Sequence, residues 1–90
     1  MYSKEVTVTN QVGLHAHPAI NFVQMANEFK EEIKVTKDER VMNAKSLLGV
    51  LSLGVTKGST IVISASGENE VEVVEALVAF VEANFERKEG

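Results

Sequence analysis

Cysteine is absent from these ninety residues, so no disulfide can brace the fold and no thiolate can hold a metal. The absence is compatible with a reducing compartment. Cations are also scarce: nine Lys and Arg stand against thirteen Asp and Glu, a formal net charge of −4. Binding to a nucleic-acid backbone relies on clustered Lys and Arg, which argues against nucleic acid as a direct ligand, and a protein partner or a small anion fits better. No apolar run reaches membrane length. Met1-Tyr2-Ser3-Lys4-Glu5 begins a polar alternation at once, without the form of a signal peptide. A soluble protein without membrane contact is expected. No repeat, low-complexity tract or linker interrupts the chain, so residues 1–90 are expected to form one domain. That length is near the lower end of what buries an adequate core without staples.

What is present is a succession of short periodic patterns. Val6 and Val8 alternate with Glu5, Thr7 and Thr9, which predicts a strand over Lys4 to Thr9 with one buried face. From Ala16 to Phe29 apolar residues return at helical spacing, with Ala19, Phe22, Val23, Ala26 and Phe29 as the stripe. Ile33 and Val35 alternate with Lys34 and Thr36. Val41-Met42 follows the polar tetrad Lys37-Asp38-Glu39-Arg40, so a hairpin of two short strands is expected. Thr60 to Ser66 is a further strand, with Ile61, Ile63 and Ala65 on one face. From Asn69, the residues Val73, Val74, Leu77, Phe80, Val81 and Phe85 recur every three or four positions. Glu70, Glu72, Glu75, Glu82 and Glu86 mark the solvated side of this closing helix.

Chemistry concentrates in Gly13-Leu14-His15-Ala16-His17-Pro18-Ala19, where the first strand gives way to the first helix. The first N–H groups of a helix lack internal partners and carry the positive end of its dipole, so an anion there is stabilised. A histidine at that point is a nucleophile inside an anion site, which suggests reversible phosphotransfer. Pro18 suits the first turn because its missing N–H would have been unpaired. Spacing alone leaves the cap open. A start at Pro18 makes His17 the cap, and a start at Ala16 makes it His15. Two other readings compete for an isolated His-x-His pair: a plain surface turn and two metal ligands. The metal reading is the weakest, since two imidazoles are half a tetrahedral shell and no carboxylate lies nearby in sequence; no metal or cofactor is expected. Ile20, about one turn further on, is either core or an exposed apolar contact beside the histidines.

A second stretch, Asn43-Ala44-Lys45-Ser46-Leu47-Leu48-Gly49-Val50-Leu51-Ser52-Leu53-Gly54, predicts a short helix from Leu47 to about Leu53. Ser46 is a favoured cap, and Gly54 suits the left-handed position past a helix end. Leu47, Leu48, Val50, Leu51 and Leu53 cannot all face inward from two turns, so some form an exposed patch suited to a partner. Ser46 serves either as a plain cap or also as a modification site, where phosphate would add negative charge beside that patch. Lys57-Gly58-Ser59-Thr60 lacks the order of a phosphate-binding P-loop.

Taken together, the two stretches strongly resemble the histidine-containing phosphocarrier (HPr) family of the bacterial sugar phosphotransferase system, and the likeness covers nearly the whole chain. The resemblance implies an α+β open-faced β-sandwich. Its order is strand-helix-strand-strand-helix-strand-helix, a four-stranded antiparallel sheet with three helices on one side. It implies that His15 accepts a phosphoryl group on Nδ1 from Enzyme I and passes it to sugar-specific IIA domains. The helix then starts at Ala16, with the backbone N–H groups of Ala16 and His17 beside the phosphate. Ser46 resembles the regulatory serine that an HPr kinase/phosphorylase modifies, and whose phosphoform binds a catabolite-repression transcription factor. Ile20, Leu47, Leu48 and Leu51 look like the family's docking surface. A cytoplasmic monomer that is no autonomous enzyme, and has no direct nucleic-acid or membrane contact, is implied.

The sequence departs from the family at position 17, usually arginine, whose planar fork holds a phosphoryl group in two hydrogen bonds. His17 stands there instead. Imidazole offers one or two donors and has a reference pKa near 6.5, so slower or more pH-dependent transfer is expected. Val12 likewise lacks the small polar side chain often found before Gly13. Two alternatives stand beside the carrier: a regulatory HPr-like protein with weak relay, favoured by His17 and disfavoured by His15, and a small metal- or ligand-binding α+β module.

Overall fold

Alternating residues form strands and helical spacing forms helices in the computed structural model, which describes residues 1–86. The strands are β1 (Tyr2–Thr7), β2 (Glu32–Lys37), β3 (Arg40–Asn43) and β4 (Thr60–Ser66). The helices are α1 (Ala16–Asn27), α2 (Leu47–Ser52) and α3 (Glu70–Glu82). All strand pairs are antiparallel, in the order β1-β4-β2-β3. This is the expected α+β open-faced sandwich.

Register explains why one face is dry. Val6 pairs with Ile61, Val35 with Ile63, and Ile33 with Ala65, so the inward residues of three strands lie in rows. The opposite face carries the row Glu5, Val62, Thr36 and Val41. On the dry side α3 packs over β1 and β4, α2 touches β3, and α1 lies against both other helices. Val73, Val74, Leu77, Val78, Phe80 and Val81 of α3 meet Ala19, Phe22, Val23 and Ala26 of α1 in one buried cluster. Ion pairs lie at the rim, where Lys4 and the Tyr2 hydroxyl both bond Glu75 of α3.

Three boundaries differ from the periodic expectation. β1 begins and ends two residues earlier, yet Val8 stays buried because its N–H and carbonyl bond Ser59 and Gly58. α1 stops at Asn27, since the N–H groups of Glu28 and Phe29 reach carbonyls only three residues back and tighten the last turn; Phe29 is half-buried beyond it. α3 stops at Glu82. Phe85 is buried without belonging to the helical stripe, because Asn84 and Phe85 take φ of +59° and +64° and turn the chain back. Its ring stands edge-on to Phe22 at 6.2 Å and to Phe80 at 5.8 Å. Left-handed residues cost roughly 1–2 kcal/mol each, and burying a phenyl ring returns about as much. The hairpin turn left open by sequence is a two-residue loop between paired Lys37 and Arg40, with Asp38 at φ +56°.

Candidate functional site

The approach to α1 is held from both sides. Asn10 donates from Nδ2 to the Gly13 carbonyl at 3.0 Å, and the Leu14 N–H bonds Val55 O at 3.0 Å. Gly13 lies against the Val55-Thr56 backbone at φ +66°, where a Cβ would overlap the Val55 carbonyl, so close approach and dihedral both demand glycine. The Leu14 side chain is fully buried. The chain is thus anchored one residue before His15, while His15 itself is only half-buried.

His15 is the N-cap of α1, in extended conformation (φ −135°, ψ 160°), and its side chain makes no capping bond. Ala16 follows at φ +54°, a left-handed position that is strained for a residue with a Cβ. Hydrogen-bonded helix therefore starts at Ala16, although Ala16 lacks helical dihedrals, and Pro18 falls in the first turn. Pro18 has no N–H, so the donors left at this entrance are those of Ala16 and His17. The first turn contains no acidic residue. The histidine, two N–H donors and an unfilled positive dipole end share one mouth. His17 is exposed beside it. Among the described residues no three His, Asp or Glu side chains converge on a possible metal position.

α2 is finished differently. Ser46 caps it, with Oγ accepting from the Gly49 N–H at 3.1 Å. At the other end Gly54 takes φ +64°, and the last carbonyls receive cations: Arg40 donates to Ser52 O at 2.8 Å and Lys37 to Gly54 O at 3.2 Å. Leu48 is 82% exposed and Leu47 38%, Leu51 is half-buried, and Val50 and Leu53 are core. Ile20 is 39% exposed on α1, so it is not core. Since α1 and α2 pack together, these apolar side chains belong to neighbouring helices.

His15 and Ser46 are not brought together. Asn27 Nδ2 bonds Lys45 O at 3.2 Å, and Lys45 Nζ bonds the Phe29 carbonyl, which ties the segment before Ser46 to the far end of α1. That helix has twelve residues, a length of about 18 Å.

A family model described as the PTS HPr component phosphorylation site matches residues 2–83. The chain belongs to the HPr family. Among HPr-family relatives it is similar to the HPr-like protein Crh of Halalkalibacterium halodurans, with 48% identity over 82 residues, 91% of this chain and 98% of that protein. The phosphocarrier protein HPr of Haemophilus influenzae is 44% identical over 81 residues, 90% of this chain and 95% of that protein. The crystal structure of HPr-C-His from Thermoanaerobacter tengcongensis matches with a TM-score of 0.92 at 42% identity, covering 99% of this chain and 100% of that one. Phosphocarrier and Crh relatives therefore stand at similar identity.

Three features of the structure are not visible as sequence patterns. Asn10 holds the Gly13 carbonyl, and its own Oδ1 is buried without a protein partner. Ala16 is left-handed. Glu31, 5% exposed, accepts from the Asn69 N–H at 3.1 Å and so closes the start of α3. Burial alone would raise the Glu31 carboxyl; the bonds from the Asn69 and its own backbone N–H groups, with the Lys30 charge, outweigh it and hold the group below its ordinary value.

Proposed function

We propose that this chain is a phosphocarrier that relays a phosphoryl group through His15 from Enzyme I to sugar-specific IIA domains. The observation that carries the proposal is the uncapped, acid-free entrance of α1 with a histidine at its cap position. In the transfer, the Nδ1 lone pair of His15 attacks phosphorus while the ring proton rests on Nε2. The N–P bond forms as the donor's bond to phosphorus breaks. The N–H groups of Ala16 and His17 receive the new oxyanions. The product is a reactive phosphoramidate, and a partly exposed helix end stabilises it only modestly, which keeps the step reversible. The exposed Ile20, Leu47 and Leu48, with half-buried Leu51, serve as the docking patch for both partners of a carrier that acts as a monomer. Among the described residues no helix is long and apolar enough to cross a membrane, and the carrier works in the cytoplasm.

Ser46 serves as the regulatory site of an HPr kinase/phosphorylase. Phosphate on its Oγ sets charge beside Leu47 and Leu48, hinders docking by partners of His15, and marks the chain for a catabolite-repression transcription factor. The second reading, a mainly regulatory protein with weak relay, is favoured by His17 in place of arginine and by the likeness to Crh.

Mass spectrometry after incubation with phosphoenolpyruvate and Enzyme I tests the carrier role, with His15→Ala, His17→Ala and Ser46→Ala alongside. An acid-labile phosphoryl group lost only in His15→Ala is the expected result. Its absence from the parent protein, given a competent Enzyme I, would leave the regulatory reading in possession.

A further inference from the structure

Five glycines lie among the described residues, and four of them, Gly13, Gly54, Gly58 and Gly67, stand at positive φ, where a side chain is strained. Gly49 is the exception. It lies inside α2 outside the positive-φ region, so the backbone does not require glycine, and only proline is a poorer helix residue. The reason for glycine must lie in what a side chain would meet. A Cβ on Gly49 would stand 3.3 Å from Ser46 Oγ, 3.4 Å from Ser46 Cβ and 3.5 Å from Met42 Cβ. Its nearest neighbour would be the hydroxyl oxygen of the proposed regulatory serine.

We infer that Gly49 determines whether Ser46 can be modified, its missing side chain reserving the space beside Oγ that a phosphoryl group needs. The inference rests on the reading of Ser46 as a phosphorylation site. In that step Oγ attacks the γ-phosphorus of a nucleoside triphosphate. The Oγ–P bond forms, the bond to the departing diphosphate breaks, and the hydroxyl proton passes to a base on the kinase. Oγ is held in place by the bond from the Gly49 N–H at 3.1 Å. With a Cβ at 3.3 Å the oxygen is already crowded before modification. A tetrahedral group on that oxygen then either swings away, breaking the cap bond, or pushes α2 apart. With glycine, the same group has room while the cap stays made.

Four proteins test this without a kinase: the parent and Gly49→Ala, each with serine or with phosphoserine installed at position 46 during synthesis. Thermal unfolding reads the effect of the phosphate in each background. Phosphoserine is expected to lower Tm by about 4 °C more in Gly49→Ala than in the parent. Equal shifts overturn the inference. Ser52→Ala, which removes the bond from Ser52 Oγ to Gly49 O at 2.7 Å, is carried through the same cycle. Coupling as large for Ser52→Ala would reduce the effect to general weakening of α2 and overturn the inference too.

Incubation with the serine kinase and ATP separates the two levels. Phosphorylation of Gly49→Ala is expected to be at least about tenfold slower than that of the parent. Equal rates reject the role of Gly49 alone. No phosphoserine on the parent rejects the reading of Ser46, and with it the function assigned to Gly49.

Discussion

α1 and α2 both begin on a residue in extended conformation, His15 at φ −135° and Ser46 at φ −106°, and their first turns are then completed in opposite ways. At α2 the serine oxygen takes the Gly49 N–H, so the helix start is closed by its own cap. At α1 the cap side chain takes nothing, the next residue is left-handed, and no acid sits in the first turn. α3 offers a third solution: Glu70 and Glu72 occupy its first turn and Glu31 accepts from its cap N–H. A helix end closed from within has little to offer an incoming anion. The one left open lacks the stabilisation that a cap bond supplies, and the anchors at Gly13 and Leu14 hold it in place. The role proposed for His15 and the capping by Ser46 are thus two uses of the same backbone feature.

The comparison breaks most severely at Gly13. Gly13→Ala forces a Cβ into the Val55-Thr56 backbone, which cannot move aside as a flexible side chain would. The expected loss is about 3 kcal/mol, a fall in Tm of more than about 10 °C, with phosphoryl acceptance lost as the loop shifts. Normal melting of this variant would show that the close approach is not what positions the entrance. Filling the open end is gentler. His17→Glu makes α1 resemble α3, so phosphoryl acceptance from Enzyme I should fall by about tenfold while helix stability holds or gains up to about 1 kcal/mol. His17→Arg goes the other way. A guanidinium is charged at every working pH and an imidazole is not, so the advantage of the arginine variant in transfer rate should grow as pH rises. A ratio that stays flat with pH would count against any part for position 17 in holding the phosphate. Ser46→Ala opens α2: about 1 kcal/mol of stability should go, visible as a fall in Tm of about 4–8 °C, with acceptance at His15 unchanged.

Much of this was legible in the chain. Alternation found three strands, the polar tetrad before Val41-Met42 marked the fourth as the second arm of a hairpin, and the Ser46 cap and Gly54 stop bracketed α2, because each of these signals is local. A helix entrance beside the histidines was legible too, but spacing left His15 and His17 open as its cap, and only the family resemblance chose His15, the cap in the structure. The strain at this entrance was not legible: periodicity reports which side chains face the core and is silent about the dihedral of Ala16. Phe85 fell on the helical spacing of α3 and is indeed buried, but through a left-handed turn after the helix has ended. Glu31 was illegible for a different reason. Set between Lys30 and Glu32 it looks like one more solvated charge, and its burial depends on Asn69, thirty-eight residues away. Likewise the need for glycine at position 13 is set by Val55, on a loop that only the fold brings near.

Glu31 therefore supplies the mildest test of the contrast between open and closed helix starts, one that shows only in acid. Its carboxyl is held below the ordinary value in the folded chain, with burial opposing and the Asn69 and Glu31 N–H groups and Lys30 prevailing. Folding thus favours the ionised form. The stabilisation is complete above the unfolded carboxylate value of about 4.3 and is lost as pH falls through the lower folded value. Glu31→Gln keeps the shape and an acceptor for the Asn69 N–H but cannot titrate. At neutral pH it should melt close to the parent, and urea unfolding through the acid range should show a shallower decline. The decline should not vanish, because Glu75, bonded by the Tyr2 hydroxyl and Lys4, and Glu70, bonded by the N-terminal amine and the Gly67 N–H, are also held low. An acid slope identical to the parent's would mean that the start of α3 is closed by shape alone, with no contribution from the charge.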